Sequence, residues 1–244
     1  MVPQNSFDQR VAPTYDADSS EMFAPEVLDP TVDLLAELAG DGAALELAVG
    51  TGRVALPLSR RGVEVHGIEI STHMAAELRA KPGGGTIPVT IGDMATTDLG
   101  RTFRLAYLVF NTITNLTTQD EQVRCFRNVA DHLEPGGRFV VEVFVPELRR
   151  LPPGDAYRAF TVTPTHLGFD EYDLVANICR SNHWCVRDGA LQVFVSTHRY
   201  VWPAEMDLMA QMAGLGLESR WGGWRREPFT AESTSTVSVW RRAG

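Results

Sequence analysis

The sequence predicts an α/β fold, with one mostly parallel sheet of seven strands and helices on both of its faces. Short apolar runs alternate with segments of helical periodicity between residues 43 and 145. These runs are apolar throughout, which is typical of parallel strands that helices cover on both sides. After Pro146 the pattern changes to β-type alternation, which predicts an antiparallel β insertion after the fifth strand.

The segment before the sheet is predicted to be partly helical. Residues 1–18 are polar, and we expect them to form an arm. Residues 19–38 have helical periodicity, but prolines interrupt it. Because proline lacks a backbone N–H and collides with the preceding turn, we expect two helical pieces that break at Pro25 and Pro30.

Strands and helices then alternate. The predicted strands cover residues 43–49, 63–70, 87–92, 104–110 and 138–145, and the predicted helices cover residues 52–61, 72–80 and 118–132. The last of these helices is well specified, because Thr118 and Glu121 have the spacing of a capping box. An apolar stripe from Val123 to Leu133 indicates its buried face.

The last hundred residues contain the insertion and the end of the sheet. The predicted elements are a loop over 147–168, antiparallel strands over 170–202 with a hairpin turn at Asp188-Gly189, a helix from Pro203 to Gly214, and strands near 215–221 and 235–240. The last two strands are expected to return to the main sheet. We therefore expect one domain over residues 1–244.

The composition excludes several classes of function. A net charge of −9 argues against a nucleic-acid partner, because phosphate binding needs a concentrated basic surface. The three cysteines form no C-x-x-C pair, so they predict neither a disulfide framework nor a zinc site. No apolar stretch approaches the ~20 residues that span a bilayer, and the first residues lack a signal-peptide core. We expect a cytoplasmic protein without a membrane or nucleic-acid partner.

A glycine-rich segment follows the first predicted strand and indicates a nucleotide-type ligand. Residues 50–55, GTGRVA, fit the G-x-G-x-x-G/A pattern, and Glu69 ends the next strand. Glycine lets a ligand approach the backbone, and a carboxylate at that strand end can accept both hydroxyls of a ribose. These features alone fit a nicotinamide dinucleotide for hydride transfer as well as S-adenosylmethionine for methyl transfer.

Other residues favour the second ligand. Glu46 lies four residues before the first glycine, where its charge would repel a pyrophosphate but attract the α-amino group of a sulfonium cofactor. Asp93 ends the third strand in IGDM and can accept a hydrogen bond from an adenine amino group. The fourth strand runs into VFNTITNL, a polar and aromatic strand end at the same crevice.

With these motifs the chain resembles the class I S-adenosylmethionine-dependent methyltransferases that act on small molecules. ELAVGTGR is similar to the first glycine motif of that family, Glu69 to its ribose acid, GDM to its adenine acid, and LEPGG to the turn before its fifth strand. The resemblance covers residues 15–146 and implies a Rossmann-like fold, S-adenosyl-L-methionine as cofactor and no metal. A nicotinamide-dependent oxidoreductase is kept as the alternative.

The resemblance implies a set of cofactor-binding residues. They are Tyr15, Glu46, Ala48, Gly50, Gly52, Arg53, Glu69, Ile70, Met74, Gly92, Asp93, Met94, Phe110 and Asn111. The family usually has glycine where this chain has Ala48, whose methyl group should narrow the slot for the methionine tail. The resemblance also divides the chain into lid helices (1–40), a cofactor-binding core (41–146), an insertion (147–202) and a C-terminal part (203–244).

The resemblance implies the catalytic residues as well. The N-terminal lid of related amine and deoxysugar enzymes covers the cofactor with an aromatic residue, for which Tyr15 and Phe23 are the candidates. Asn115 stands where related amino-sugar enzymes carry a histidine. Because asparagine cannot act as a base, we expect catalysis by proximity and orientation, with Asn115 and Tyr15 aligning a nitrogen or oxygen of a small-molecule acceptor.

The histidines are expected to contribute little. Single substitutions of His73, His166, His183 and His198 are predicted to leave most activity intact. Three of these four lie in the insertion, which in this family either roofs the acceptor pocket or builds the interface of a homodimer. His183 and Trp184 are neighbours on one strand, so their side chains are expected on opposite faces.

Overall fold

The computed structural model describes residues 9, 11–187 and 189–244, which form two β-sheets and flanking helices. The first sheet contains β1 Ala44–Leu47, β2 Val65–Glu69, β3 Val89–Ile91, β4 Phe103–Leu108, β5 Leu133–Phe144, β10 Leu215–Trp221 and β11 Ser235–Arg242. The second sheet contains β6 Tyr157–Val162, β7 His166–Asp173, β8 Ile178–Arg187 and β9 Ala190–Arg199. The α-helices are α1 Tyr15–Asp18, α2 Pro25–Ala39, α3 Ala55–Arg60, α4 Thr72–Ala80, α5 Gln119–Asp131 and α6 Pro203–Met212.

The first sheet confirms the predicted fold class. Its strands lie in the order β10-β11-β5-β4-β1-β2-β3. The pairs β1–β2, β1–β4, β2–β3 and β4–β5 are parallel, whereas β11 is antiparallel to both of its neighbours. The strand order reverses beside β1. Open α/β sheets bind ligands at the carboxyl ends of the strands at such a point.

Helices cover both faces of this sheet, and each face has its own apolar core. On one face, α5 and α6 enclose Phe126, Phe139 and Trp240. The Phe126 ring meets the other two edge-on, with centroid distances of 5.1 and 5.5 Å. On the other face, α2, α3 and α4 cover the fully buried Tyr107. None of the described helices is long and apolar enough to cross a membrane.

Helix α2 corrects one prediction about the segment before the sheet. Pro25 does begin the helix, but the predicted break at Pro30 is wrong, because α2 continues through that residue to Ala39. A proline at this position cannot donate to the Glu26 carbonyl four residues earlier. Arg225 donates to that carbonyl instead, with a distance of 3.3 Å between Nη2 and the oxygen. A distant side chain thus replaces the lost helix hydrogen bond.

The second sheet is the predicted antiparallel insertion, but it begins earlier than expected. Its order is β6-β7-β8-β9, with every pair antiparallel. The predicted loop over 147–168 is wrong in its second half, because residues 157–162 form an edge strand that pairs with β7. The flanking prolines and glycines obscured this short strand. Of the predicted hairpin turn, Asp188 lies outside the described residues, and Gly189 has a φ of +74°.

A buried polar network attaches the end of the insertion to the main sheet. Arg199, the last residue of β9, donates to Gln122 on α5 at 2.5 Å and to Glu205 on α6 at 2.7 Å. The Gln122 amide nitrogen in turn lies 3.1–3.2 Å from the carbonyl oxygens of Ile113, Leu116 and Arg199, which share its two N–H groups. Because leaving any of these buried groups without a partner is costly, the network fixes β9 against the segment that follows β4.

Candidate active site

A cavity of about 440 Å³ lies at the carboxyl ends of β1, β2, β3 and β4. One part of its wall comes from the residues that follow β1, β2 and β3. The other part comes from residues 112–117 after β4 and from residues 195–198 of β9, and Tyr15 on α1 also lines the cavity. We call these parts the cofactor end and the acceptor end.

Glu69 is fixed at the cofactor end by the backbone around it. Its carboxylate accepts N–H bonds from Gly50 and Ser71, each at 2.8 Å. Burial raises the pKa of Glu69, and the N–H groups of Ser71, Gly50 and Ile70 partly offset this effect. A carboxylate has about four lone-pair sites, so these bonds hold its plane in place and leave acceptor capacity for two ribose hydroxyls.

The loop after β1 is held in left-handed backbone conformations. Ala48, Gly50 and Gly52 have φ values of +53°, +56° and +79°. Ala48 and Gly50 line the cavity. Gly52 lies behind it, and a Cβ added there would come within 2.9 Å of Leu78, so this glycine allows α4 to pack closely. Ala48 is the strained position, because a residue with a Cβ is disfavoured at such a φ.

Glu46 lies beneath this loop rather than in the described wall of the cavity. It is 3% exposed and accepts a hydrogen bond from the Tyr107 hydroxyl at 3.0 Å. Burial raises its pKa to about 8, although the Tyr107 bond and the positive charge of Arg53 act in the opposite direction. The carboxyl group is therefore poised to change its charge near neutral pH.

Three further predicted residues lie beside the cavity and support its edges. The Arg53 guanidinium lies over the Phe110 ring at 5.5 Å and donates to the Met22 carbonyl at 3.3 Å. Phe110 and Asn111 have φ values of +54° and +60° and form the tight turn after β4. The Asn111 side chain accepts from the Phe144 N–H at 2.6 Å, which ties this turn to β5.

The residues after β2 and β3 form a slot with one carboxylate and apolar walls. Ile70, Met74 and Met94 supply apolar surface, and Gly92 and Asp93 lie beside them in the cavity wall. Asp93 accepts a hydrogen bond from the Ala95 N–H at 2.8 Å, which orients its carboxylate. Asp93 is the position that the sequence predicted for adenine binding, and all five residues are among the predicted cofactor-binding residues. The structure brings them together in one part of the cavity wall.

Contacts with Thr51 and Lys81 hold the N-terminal segment over the cofactor end, and the sequence analysis did not predict them. Asp16 accepts a hydrogen bond from the Thr51 hydroxyl at 2.6 Å and forms an ion pair with Lys81. Lys81 also donates to the Thr51 carbonyl at 2.8 Å, and its ammonium group lies 5.6 Å from the Phe23 ring. Lys81 is the only lysine in the sequence, and this rarity could have indicated that its side chain makes a specific contact. These contacts of Asp16 keep the neighbouring Tyr15 in the wall of the cavity.

The acceptor end is polar. Its described wall contains Thr112, Asn115, Leu116, Thr117, Glu121, Val195, Ser196, Thr197 and His198. Asn115 is therefore brought to the cavity, as the sequence predicted. Ser196 was not predicted as a site residue, and His198 was expected to be dispensable. The resemblance gave a roof over the acceptor pocket as one of two roles for the insertion, but it did not identify the residues of β9 that line the cavity.

The other two histidines of the insertion, His166 and His183, contact each other and are not among the residues that line the cavity. His166 and His183 stack on each other in the second sheet, with 3.0 Å between their ring nitrogens. His183 also stacks on Phe194, whereas Trp184 stacks on Phe169, so the two neighbouring residues lie on opposite faces as predicted. No group of three or more metal-ligating side chains is arranged to hold a metal in residues 11–187 and 189–244.

Comparisons with known proteins agree on one family. A family model described as a methyltransferase domain matches residues 44–137. The CcbJ methyltransferase from Streptomyces caelestis is 37% identical, covers 96% of each chain and superposes with a TM-score of 0.84. Cypemycin N-terminal methyltransferase from a Streptomyces species is 27% identical over 99% of this chain and 100% of its own length.

A cofactor-bound structure has the same fold. CalS10 with bound S-adenosylmethionine, an amino pentose methyltransferase from Micromonospora echinaspora, has a TM-score of 0.71 and 22% identity and covers 94% of this chain and 96% of its own. None of these comparisons supports the nicotinamide alternative. The 37% identity to CcbJ over almost the whole of both chains, together with the matching family model, establishes that the chain belongs to the S-adenosylmethionine-dependent methyltransferases.

Proposed function

We propose that this methyltransferase transfers the methyl group to an amine nitrogen of a polar small molecule or short peptide. The observation that carries this proposal is the polar acceptor end, where a carboxylate (Glu121), an amide (Asn115) and hydroxyl groups line the cavity. The names of two relatives describe N-terminal and amino pentose methylation, which supports an amine as the class of acceptor.

The residues of the cofactor end fit S-adenosylmethionine in one orientation. Glu69 would accept the ribose hydroxyls, and Asp93 the adenine amino group between the apolar walls. Ala48 and Gly50 would border the methionine tail, whose ammonium group would favour the ionised form of the buried Glu46 carboxyl group behind the loop after β1. Gly52, Arg53, Phe110 and Asn111 would act indirectly, because they shape the loops around the cofactor.

When bound, the cofactor would supply an electrophilic methyl group attached to a sulfonium sulfur. After the transfer, the rest of the cofactor is a neutral thioether. The protein therefore needs no metal and no oxyanion-stabilising site for this step; it must align the acceptor nitrogen with the carbon–sulfur bond and exclude water. Asn115 would orient the amine by hydrogen bonding, and Tyr15 would close the cavity from the lid side. Burial raises the pKa of the Tyr15 phenol, which keeps it neutral.

An acceptor panel tests the proposal. The purified enzyme is incubated with S-adenosylmethionine and either a short peptide with a free N-terminus or an aminodeoxyhexose, and release of S-adenosylhomocysteine is measured. We expect turnover with at least one amine and none with its N-acetylated counterpart. Methylation of phenols or sugar hydroxyls, with both amines inert, would contradict the proposal.

We also propose that the protein acts in the cytoplasm as a homodimer and binds no nucleic acid. The net charge of −9 supports the last point. Leu191, Val193 and Val195 on β9 are each more than half exposed, and such an apolar strand surface suits a second copy of the chain. Light scattering on the purified protein tests the dimer, and a monomeric mass would contradict it.

A further inference from the structure

Ser196 and His198 are neighbours on one face of β9, and both line the acceptor end. The Ser196 hydroxyl lies 3.0 Å from Nε2 of His198. The other ring nitrogen, Nδ1, lies 3.5 Å from the hydroxyl oxygen of Thr114 in the segment after β4. The imidazole therefore bridges the insertion and the main sheet inside the cavity.

The hydrogen bonds around His198 have a defined direction. Thr114 donates its hydroxyl proton to the Asn111 carbonyl at 2.7 Å, so its oxygen, 3.5 Å from Nδ1 of His198, is left as an acceptor towards the ring. This favours the tautomer with the proton on Nδ1, in which the lone pair of Nε2 accepts from the Ser196 hydroxyl. The arrangement presents a proton acceptor at the acceptor end of the cavity, whose wall also contains Asn115.

We propose that His198, assisted by the Ser196 hydroxyl, removes a proton from the acceptor ammonium before methyl transfer. This inference rests on the proposed amine acceptor. The N–H bond breaks and its electron pair stays on nitrogen, while the proton moves to Nε2 directly or through the Ser196 oxygen. The nitrogen then bonds to the methyl carbon as the carbon–sulfur bond breaks and its electron pair goes to sulfur. The imidazolium later releases the proton to solvent.

The charges around His198 suit this role. Burial lowers the pKa of His198, which keeps the ring neutral and able to accept a proton before the acceptor binds. The Asp170 carboxylate on β7 acts in the opposite direction and would stabilise the imidazolium once it forms. Glu121 from α5 lines the same cavity and would attract an ammonium group, and His183 on β8 interacts electrostatically with His198.

A general base is useful here because an aliphatic amine is mostly protonated at neutral pH, and its ammonium form has no lone pair to attack the methyl group. Asn115 can orient the nitrogen, but it cannot accept the proton. The expectation that each histidine is dispensable is therefore replaced, for His198 alone, by a catalytic role. His166 provides a matched control, since it lies on the same sheet in a stack with His183.

The first experiment needs no methyl acceptor. Nitrogen-15 NMR of the histidines is recorded on the full protein bound to S-adenosylhomocysteine, with His198→Gln used to assign the signal. We expect a neutral ring at pH 7.5 with the proton on Nδ1, and a mixture of tautomers in Thr114→Val. A proton on Nε2, or a charged ring at that pH, would overturn the proposal.

The second experiment uses the amine of the panel that is methylated fastest. We expect His198→Gln to lower kcat at pH 7 by about 10²–10³-fold, Ser196→Ala by about three- to tenfold, and His166→Gln by less than twofold. At pH 10, where solvent deprotonates the amine, His198→Gln should recover to within about tenfold of the wild type. An equal loss at both pH values would indicate a structural role and overturn the proposal.

The two experiments separate this inference from the proposed function. If the panel shows that the acceptor is a hydroxyl compound, the amine assignment fails, while the NMR result still decides whether Nε2 of His198 is a proton acceptor in the cavity. If amines are methylated and His198→Gln retains the wild-type pH profile, the proposed function stands and the catalytic role of His198 fails.

Discussion

The two ends of the cavity are built in different ways. The cofactor end consists of residues directly after β1, β2 and β3, which parallel pairing brings to one edge of the sheet. The acceptor end joins Asn115, which follows β4, to His198 on β9, more than 80 residues later in the chain. Local sequence therefore determines the first end, whereas the second exists only after the insertion has packed against the sheet.

The two ends should therefore respond differently to substitution. Substitutions at the cofactor end should change affinity for S-adenosylmethionine, because the side chains there are predicted to contact the cofactor. Substitutions at the acceptor end should change turnover with little effect on cofactor affinity. The six substitutions below are given in order of decreasing expected effect; four of them test this separation, and those of Glu46 and Ala48 test the stability of the cofactor end.

Glu69→Ala should weaken binding of S-adenosylmethionine by about 1.5–3 kcal/mol, the scale of charge-assisted hydrogen bonds to a ribose. Titration calorimetry measures the loss. Glu64→Ala is the matched control, because Glu64 precedes the same strand and is exposed, with partners in His66 and Arg101. An unchanged dissociation constant for a folded Glu69→Ala would show that the ribose lies elsewhere.

Asn115→Ala and Tyr15→Phe should each lower turnover about ten- to a hundredfold through misalignment of the acceptor. The dissociation constant of S-adenosylhomocysteine should change by less than about threefold for Asn115→Ala, since this residue belongs to the acceptor end. Steady-state kinetics and calorimetry on the same preparations measure both quantities. A large loss of cofactor affinity in Asn115→Ala would contradict the separation of the two ends.

Glu46 should make the stability of the ligand-free protein depend on pH. Its folded-state pKa is raised to about 8 from an ordinary value of 4.5, mainly by burial. The contribution of the protonated carboxyl group to the free energy of unfolding is fully present below the unfolded-state pKa of 4.5. It is lost as the pH rises through the folded-state pKa of about 8. The free energy of unfolding should thus fall between about pH 5 and pH 8, by at most about 1.4 kcal/mol per pH unit from this group.

Glu46→Gln removes the ionisation and keeps an acceptor for the Tyr107 hydroxyl. Urea unfolding of both proteins at several pH values between about 5 and 8 measures the difference in slope. Equal slopes would mean that Glu46 is ionised in the folded protein throughout this range, and that burial does not determine its charge.

Asp93→Asn should reduce the preference for adenine about tenfold, because an amide can present its NH₂ group to the adenine amino group in place of an oxygen. The comparison is between S-adenosylhomocysteine and its inosine counterpart, each titrated into wild type and variant. We expect the wild type to discriminate and the variant to bind both about equally. A wild type that binds both equally would remove Asp93 from adenine recognition.

Ala48→Gly should stabilise the protein by about 0.5–1 kcal/mol, because glycine adopts the φ of +53° at this position without strain. Cofactor affinity should change by only a few-fold. Denaturant unfolding measures the gain, and Ala43→Gly is a useful contrast because Ala43 has no positive φ. A destabilised Ala48→Gly would show that the methyl group contributes packing that outweighs the strain.

The same comparison explains what the sequence could predict. Glycines, strand-end carboxylates and apolar runs are local patterns, so the sequence could predict the sheet and the position of Glu69 and Asp93 at the ends of β2 and β3. The continuation of α2 through Pro30 depends on Arg225, almost 200 residues away, and the position of Lys81 depends on contacts with the lid. Only tertiary packing could bring His198 to Thr114, and no local pattern indicates that contact.

A crystal structure with bound S-adenosylhomocysteine tests the division of the cavity most directly. We expect the ribose hydroxyls to contact Glu69, the adenine amino group to contact Asp93, and the sulfur to face Asn115 and His198. A nucleoside bound in the reverse orientation, with adenine against Ser196 and His198, would contradict the assignment of both ends.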